Sequence, residues 1–432
     1  MSVSTPLRYV FVALAVLISL HYLLSFTNET YGSATSLDNI KQQFTGAETN
    51  INLPGNTAGG SPLSHNGAAN PSHDDVASIP PSHDSAGDIL PPHDDAARPP
   101  YNTPVPEDYY TGAHPSPVGR KANAVFVMLA RNGDLENAVA SIKQMEDRFN
   151  KKFKYPYVFL NEQPFSEQFK ARITTITDSP VEFGLIPHDH WFQPDWIDET
   201  RASAARAEMQ KNNVIYGGSL PYRNMCRYNS GFFYRHELLK PFKYYWRIEP
   251  DVKFFCDLDD PFLIMEDQNK MYGFTISLPE YPATIPTLWN TVREFVVANP
   301  DLVSPDNAMD FLSDDGGETY NRCHFWSNFE IANLDLWRGE SYSKFFDFLD
   351  EKGGFYYERW GDAPVHSIGA ALFARKDQIH FFGDIGYRHE PFQHCPQGEA
   401  HKKGKCWCDP EQNFDREWYS CLNKYDALFT KS

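Results

Sequence analysis

Residues 124–160, AVFVMLARNGDLENAVASIKQMEDRFNKKFKYPYVFL, decide the fold class. Ala124 to Leu129 is an unbroken apolar run that reads as a buried strand, and Tyr157 to Leu160 is a second. Between them Asp134 is a candidate N-cap, and Leu135 to Phe149 carries apolar residues at helical spacing. Strand, helix and strand in so short a span make a βαβ unit, which predicts parallel pairing and an α/β class. Ligands in such folds sit outside the carboxyl ends of the strands, so Arg131 and Asn132 are candidate nucleotide contacts or, equally, a surface turn. No Walker loop or GxGxxG accompanies them, so phosphates must be held by other means.

Composition sets the frame around that unit. With 432 residues, 41% hydrophobic and 15% aromatic, the chain can build one large domain or two ordinary ones. The formal net charge of −18 argues against a non-specific nucleic-acid binder, which needs a basic footprint. A phosphate substrate would therefore need a metal or a local basic cluster.

The ordered head is expected from Ala122 onward. Residues 1–8 read as a cytoplasmic tail, and Tyr9 to Phe26, without a formal charge, is about 27 Å long as a helix and spans a bilayer as a signal anchor. The alternative is a cleaved signal peptide, but no convincing small-residue cleavage site follows. Residues 27–121 are rich in Pro, Ser, Ala, Gly and Asp and read as a disordered stem. Within it SHDD at Ser72, SHDS at Ser82 and PHDD at Pro92 recur every ten residues, a spacer or a set of metal-binding histidines. Asn28 begins a glycosylation sequon close to the span.

Tyr244 to Phe255, YYWRIEPDVKFF, is an aromatic strand interrupted by Glu249-Pro250-Asp251. Residues two apart in extended chain share a face, so both acids can point one way, and Pro250 places them where strand pairing stops. Two carboxylates facing a cleft need a cation, a donor or a proton, which makes a divalent metal carrying a phosphorylated substrate the natural reading. An acidic turn at a strand end fits the residues as well. Upstream, SLPYRNMCRYNSGFFY supplies Tyr222, Arg223 and Arg227, suited to a diphosphate or a sugar, though each aromatic also fits the core. Downstream, Glu330 sits in the apolar run SNFEIA, where a carboxylate must be used or compensated. Asp362 in RWGDAP is placed to cap the helix that continues through Ile368 to Phe373, and His389 in GYRHEPF falls on a loop after the strand Ile379 to Phe382.

YYWRIEPDVKFF, SNFEIA, RWGDAP with its helix, and GYRHEPF, in this order behind an anchor and stem, strongly resemble the fungal α-1,2-mannosyltransferases of glycosyltransferase family 15. The resemblance runs from about Ala122 to the carboxyl terminus. It implies a GT-A fold, a Rossmann-like nucleotide-binding half merged with an acceptor-binding half, over residues 122–432. It also implies a type II Golgi membrane protein with a luminal catalytic domain. GDP-mannose as donor, manganese as cofactor, mannosylated glycoprotein as acceptor and retention at the anomeric carbon follow from the same resemblance. Carried onto this chain, Glu330 corresponds to the proposed nucleophile, His389 to the metal-binding histidine, and Asp362 to an acid near the reaction centre. Glu249 and Asp251 stand where many metal-dependent transferases have D-x-D, and Tyr222 lies in the tyrosine-rich donor-site stretch. Arg131 remains a donor contact.

Chemistry agrees with that implication. A hard divalent ion stabilises a departing diphosphate, and manganese accepts mixed imidazole and oxygen ligands. Retention needs a double displacement through a carboxylate or a front-face route with a short-lived oxocarbenium ion. Rival readings are a luminal mannosidase, which would not need a nucleotide, and a non-catalytic mannan-binding protein. Seven cysteines, with Cys395, Cys406, Cys408 and Cys421 clustered, read as disulfides in an oxidising lumen with at least one left over; the alternative is a zinc site with His394 or His401. Trp289, Trp326 and Trp360 are candidate aromatic walls for an acceptor sugar.

Overall fold

The computed structural model describes residues 119–430. The expected tail, membrane span and repeats lie outside the described residues, as does nearly all of the stem. No helix among the described residues is long and apolar enough to cross a membrane.

A seven-stranded mixed sheet organises the chain. β1 (Ala124–Leu129) pairs in parallel with β2 (Tyr157–Asn161) and with β4 (Tyr244–Arg247), and β2 pairs in parallel with β3 (Val181–Leu185). The expected βαβ unit is therefore present. Beyond β5 (Lys253–Phe254), β6 (Tyr272–Phe274), β7 (Ser277–Pro279) and β8 (Cys323–Phe325), the strand β9 (Glu330–Asn333) runs antiparallel between β4 and β6. The parallel edge strand β10 (Ile379–Phe381) completes the order β10-β6-β9-β4-β1-β2-β3. Side chains of β1 alternate between two cores, Val125 and Val127 on one face, Ala124, Phe126 and Met128 on the other. Burial on both faces is why this strand reads as a continuous apolar run.

Four of the longer helices are α1 to α4. α1 (Leu135–Met145) continues into a π-helical turn, Glu146–Asn150. Asp134 does not cap α1 with its side chain. A short 3-10 turn, Asn132–Asp134, intervenes, and the carboxylate accepts instead from Arg131 N at 2.8 Å and from the Arg131 guanidinium. α2 (Glu199–Lys211) is capped by Asp198, whose carboxylate accepts from Arg201 N at 3.2 Å. The Tyr- and Arg-rich stretch forms α3 (Leu220–Gly231), and α4 is Asp362–Phe373. Gly361, not Asp362, occupies the N-cap of α4, so Asp362 stands at the first helical position with its carboxylate free for other partners.

His389 does not lie on a loop. It ends β11 (Tyr387–His389), which pairs antiparallel with β5 and with β12 (Phe392–His394). His389 faces Phe392 in register, so only Glu390 and Pro391 remain for the turn. Because β5 directly follows the Glu-Pro-Asp turn, this small sheet carries His389 back to the end of β4.

The cysteines form Cys256–Cys406, Cys323–Cys421 and Cys395–Cys408, with Cys226 free and buried. The stapled carboxyl-terminal region expected from sequence is there, and two of the bridges tie it to Cys256, just after β5, and to Cys323, at the start of β8. Cys395 and Cys408 lie beside His401, but they are bonded to each other and offer no thiolates to zinc.

Candidate active site

A cleft of about 310 Å³ opens where β1, β2 and β4 end. Its floor is built around Arg247, the last residue of β4. The Arg247 guanidinium donates to Asp362 Oδ2 at 2.6 Å and to the Glu249 carboxylate. Burial opposes its charge, but Asp362, Glu249 and Glu330 outweigh burial and raise its pKa well above the ordinary value. Asp362 is the mirror case. Burial pushes its carboxyl up, yet Arg247, His366 and a 2.8 Å hydrogen bond from Ser327 Oγ hold it below the usual range.

Glu249 and Asp251 are separated. Strand geometry ends at Arg247, Pro250 offers no ladder donor, and Asp251 turns into the left-handed region at φ +69°. Glu249 lines the cleft; Asp251 is outside its lining. The second Glu249 oxygen lies 3.8 Å from His389 Nε2. His389 Nδ1 is 3.0 Å from the Glu390 carbonyl, which can only accept, so Nδ1 carries the proton and the basic Nε2 turns toward Glu249. A lone pair and a carboxylate oxygen facing one another at that separation form a donor set fit for a hard or borderline cation.

Glu330 lies one layer lower. It opposes Arg247 across β4 and β9 and is completely buried. One carboxylate oxygen accepts from Tyr245 OH, which in turn accepts from Trp337 Nε1 at 3.0 Å; the other lies 2.8 Å from His366 Nδ1. The compensation that sequence demanded for this acid is thus a tyrosine and a histidine. Glu330 and His366 line a small cavity of about 20 Å³, whose walls at Leu129, Asn229 and Arg247 are shared with the main cleft.

Of the other expected residues, Arg131 lines the cleft, paired on one side with Asp134, and Tyr222 lines it stacked on Tyr216 at 4.4 Å. Asn132 does not; it braces the Pro164–Ser166 loop through its side-chain amide. Arg223 and Arg227 are also absent from the lining, because positions four apart share the inner face of α3 while Pro221, Tyr222, Met225 and Asn229 face the cleft. Arg223 donates to the carbonyls of Glu358 and Ser219, and Arg227 grips Asp350 with two bonds of 2.8 Å. Trp326 is in the cleft wall. Trp289 instead stacks on Tyr320, and Trp360 is buried with its N–H on the Glu358 carboxylate.

The guanidinium groups of the cleft besides Arg131 are Arg247 and Arg359, which sequence reasoning passed over, along with Ser327, His366 and Glu162. Arg247 could have been found: an arginine closing an apolar strand beside two acids has no reason to be there unless it pairs with them. His366 gives no such signal, since a histidine inside an apolar helix reads as ordinary core.

Comparison with known proteins identifies what the chain is similar to. The family model described as "Glycolipid 2-alpha-mannosyltransferase" matches residues 85–429. Glycolipid 2-alpha-mannosyltransferase 1 of Candida albicans is 52% identical over 333 residues, 76% of this chain and 76% of its own. Glycolipid 2-alpha-mannosyltransferase of Saccharomyces cerevisiae is 51% identical over 333 residues, 77% and 75%. Among solved structures, the mannosyltransferase Ktr4p from S. cerevisiae in complex with GDP superposes with a TM-score of 0.68 at 42% identity, covering 71% of this chain and 82% of that one. Core-mannan synthase A from Aspergillus fumigatus, in an Mn/GDP form, gives a TM-score of 0.68 at 41% identity, covering 77% and 92%. The mixed α/β glycosyltransferase fold is therefore common to all three.

Proposed function

From the premise that this chain belongs to the glycolipid 2-alpha-mannosyltransferase family, a family of glycosyltransferases, we propose that it is a retaining, manganese-dependent α-1,2-mannosyltransferase. It moves mannose from GDP-mannose to mannose chains of N- or O-linked glycoproteins. The observation that carries this reading is the facing pair His389 Nε2 and Glu249, 3.8 Å apart beside Arg247 and Asp362. Support for the metal and nucleotide comes from the Mn/GDP form of the Aspergillus relative. His389 and Glu249 would hold manganese, with Asp251 outside the cleft lining, and the ion would supply positive charge to the departing diphosphate.

The remaining roles fall to this chain's side chains. Arg131 and Tyr222 hold the donor at the ends of β1 and α3. Arg247 keeps Asp362 ionised and fixed at the cleft floor. Both Glu330 oxygens are already engaged, so the acid is oriented but shielded, which favours its acting as an electrostatic stabiliser of an oxocarbenium-like centre over direct attack. In that front-face route the anomeric carbon–oxygen bond breaks with its electron pair leaving on GDP. The acceptor 2-hydroxyl bonds on the same face and passes its proton to the leaving phosphate oxygen.

Tyr9 to Phe26 would anchor the enzyme in the Golgi membrane, with residues 122–432 in the lumen; the three disulfides suit an oxidising compartment. Family membership disfavours the mannosidase and non-catalytic readings. The test is purified enzyme with GDP-mannose and α-methyl mannoside, with and without manganese, the product linkage read by NMR. A manganese-dependent α-1,2-linked dimannoside is expected. Hydrolysis without nucleotide, or a β-linked product, would overturn the proposal.

A further inference from the structure

An aromatic track leads out of the cleft. His389 meets Trp326 edge-on at 4.9 Å, Trp326 lies 5.5 Å from Phe392, Phe392 6.5 Å from Tyr419, and Tyr419 5.3 Å from Trp418. Trp326, Phe392 and Tyr419 line the cleft. Accessibility grows along the track, from buried His389 through half-buried rings to Trp418, which is 55% exposed.

The outer end of the track is held rigidly. Tyr419 OH donates to the Pro279 carbonyl at 3.2 Å, and two residues on, Cys421 is bonded to Cys323 while its N–H donates to the Ser277 carbonyl at 3.0 Å. The Phe392 ring packs on Phe414 at 4.2 Å. A large exposed indole on a stapled segment, continuous with a reaction cleft, is a pre-organised apolar surface rather than a mobile one. Its chemistry suits a neutral ligand with apolar faces and polar edges. A chain of pyranose rings is such a ligand, because C–H faces stack on aromatic rings while hydroxyls stay in water.

We infer that Phe392, Tyr419 and Trp418 form an outer acceptor subsite that binds the mannose units behind the one receiving the transfer. The inference rests on the mannosyltransferase reading and extends it to chain length: the enzyme prefers an oligomannosyl acceptor over a single mannose. Trp407 supplies the control, being 56% exposed but set against Phe255 and outside the cleft lining.

The experiment compares steady-state transfer to α-methyl mannoside and to α-1,2-linked mannotetraose for the full chain and for Trp418→Ala, Trp418→Tyr and Trp407→Ala. Trp418→Ala should raise KM for the tetrasaccharide about tenfold relative to KM for the monosaccharide, the loss typical of one truncated aromatic anchor. Trp418→Tyr should recover most of that ratio, and Trp407→Ala should leave it as in the parent. An unchanged ratio in Trp418→Ala, or an equal change in Trp407→Ala, overturns the subsite. If the parent transfers to neither acceptor, the mannosyltransferase reading fails instead. Calorimetric titration with mannotetraose then decides the subsite by itself: binding weakened by Trp418→Ala supports it, and equal binding overturns it.

Discussion

Replacing Arg247 by methionine tests the electrostatics of the cleft floor most directly. The substitution keeps most of the side-chain length and removes the charge that Asp362 and Glu249 share. Asp362 is 8% exposed at its side chain, so losing its partner strands a buried carboxylate, at a cost of about 3–5 kcal/mol. Glu249, 24% exposed and screened by water, adds little. With a urea m-value of about 3 kcal/mol/M, the unfolding midpoint should fall by roughly 1–2 M at neutral pH, read by tryptophan fluorescence.

The pH dependence fixes the cause. In the parent, Asp362 titrates below its ordinary value, so its contribution is present above the usual carboxylate range and is lost as pH falls through the lowered pKa. Without Arg247, burial dominates and the carboxyl should titrate above its unfolded value. That penalty is absent at low pH and grows as pH rises through about 4. The gap between parent and variant should therefore narrow from pH 7 to pH 4, and adding Asp362→Asn to the variant should recover at least about 1 kcal/mol at pH 7. A midpoint shift below about 0.3 M, or an equal shift at both pH values, would refute the argument.

Three other outcomes follow. Glu330→Gln should lower kcat by about a hundredfold or more while calorimetric GDP binding persists, and unimpaired turnover would remove Glu330 from the reaction centre. His366→Phe should reduce kcat about tenfold with little change in KM for GDP-mannose, because it frees one Glu330 oxygen without touching the donor; a purely structural histidine would lower the unfolding midpoint and leave kcat alone. His389→Ala should abolish the manganese dependence of GDP binding, seen by titrating GDP with and without the metal, and retained dependence would place the ion elsewhere.

The sequence made the central architecture readable because its signals are local. An unbroken apolar strand, a helical period and a second strand announce a parallel pair, and Glu249 at a strand end announces a cleft. What it hid was set by long-range geometry. Alternation along YYWRIEPD placed Asp251 beside Glu249, but the strand ends at Arg247, three residues before the proline, and the chain turns. Nothing in a local window shows that Arg223 and Arg227 face inward, since that depends on which side of α3 meets Asp350 and the Glu358 carbonyl, far along the chain. His389 reads as a loop residue because a three-residue strand is too short to announce itself. Glu330 was legible as an anomaly, though its partners Tyr245 and His366 lie 85 and 36 residues away.

The disulfide that pins the Tyr419 segment also bears on how the protein is made. Cys323 must wait for a partner 98 residues further along, and Cys256 for one 150 residues along. At about 5–20 residues per second, each thiol spends roughly 5–30 seconds of synthesis without its mate. In an oxidising compartment those two waiting cysteines share the nascent chain with Cys226, which has no disulfide partner in the folded protein. Completion of the catalytic wall is then a late event in the life of the nascent chain, because the Tyr419 segment that closes it is pinned only once Cys421 has been made.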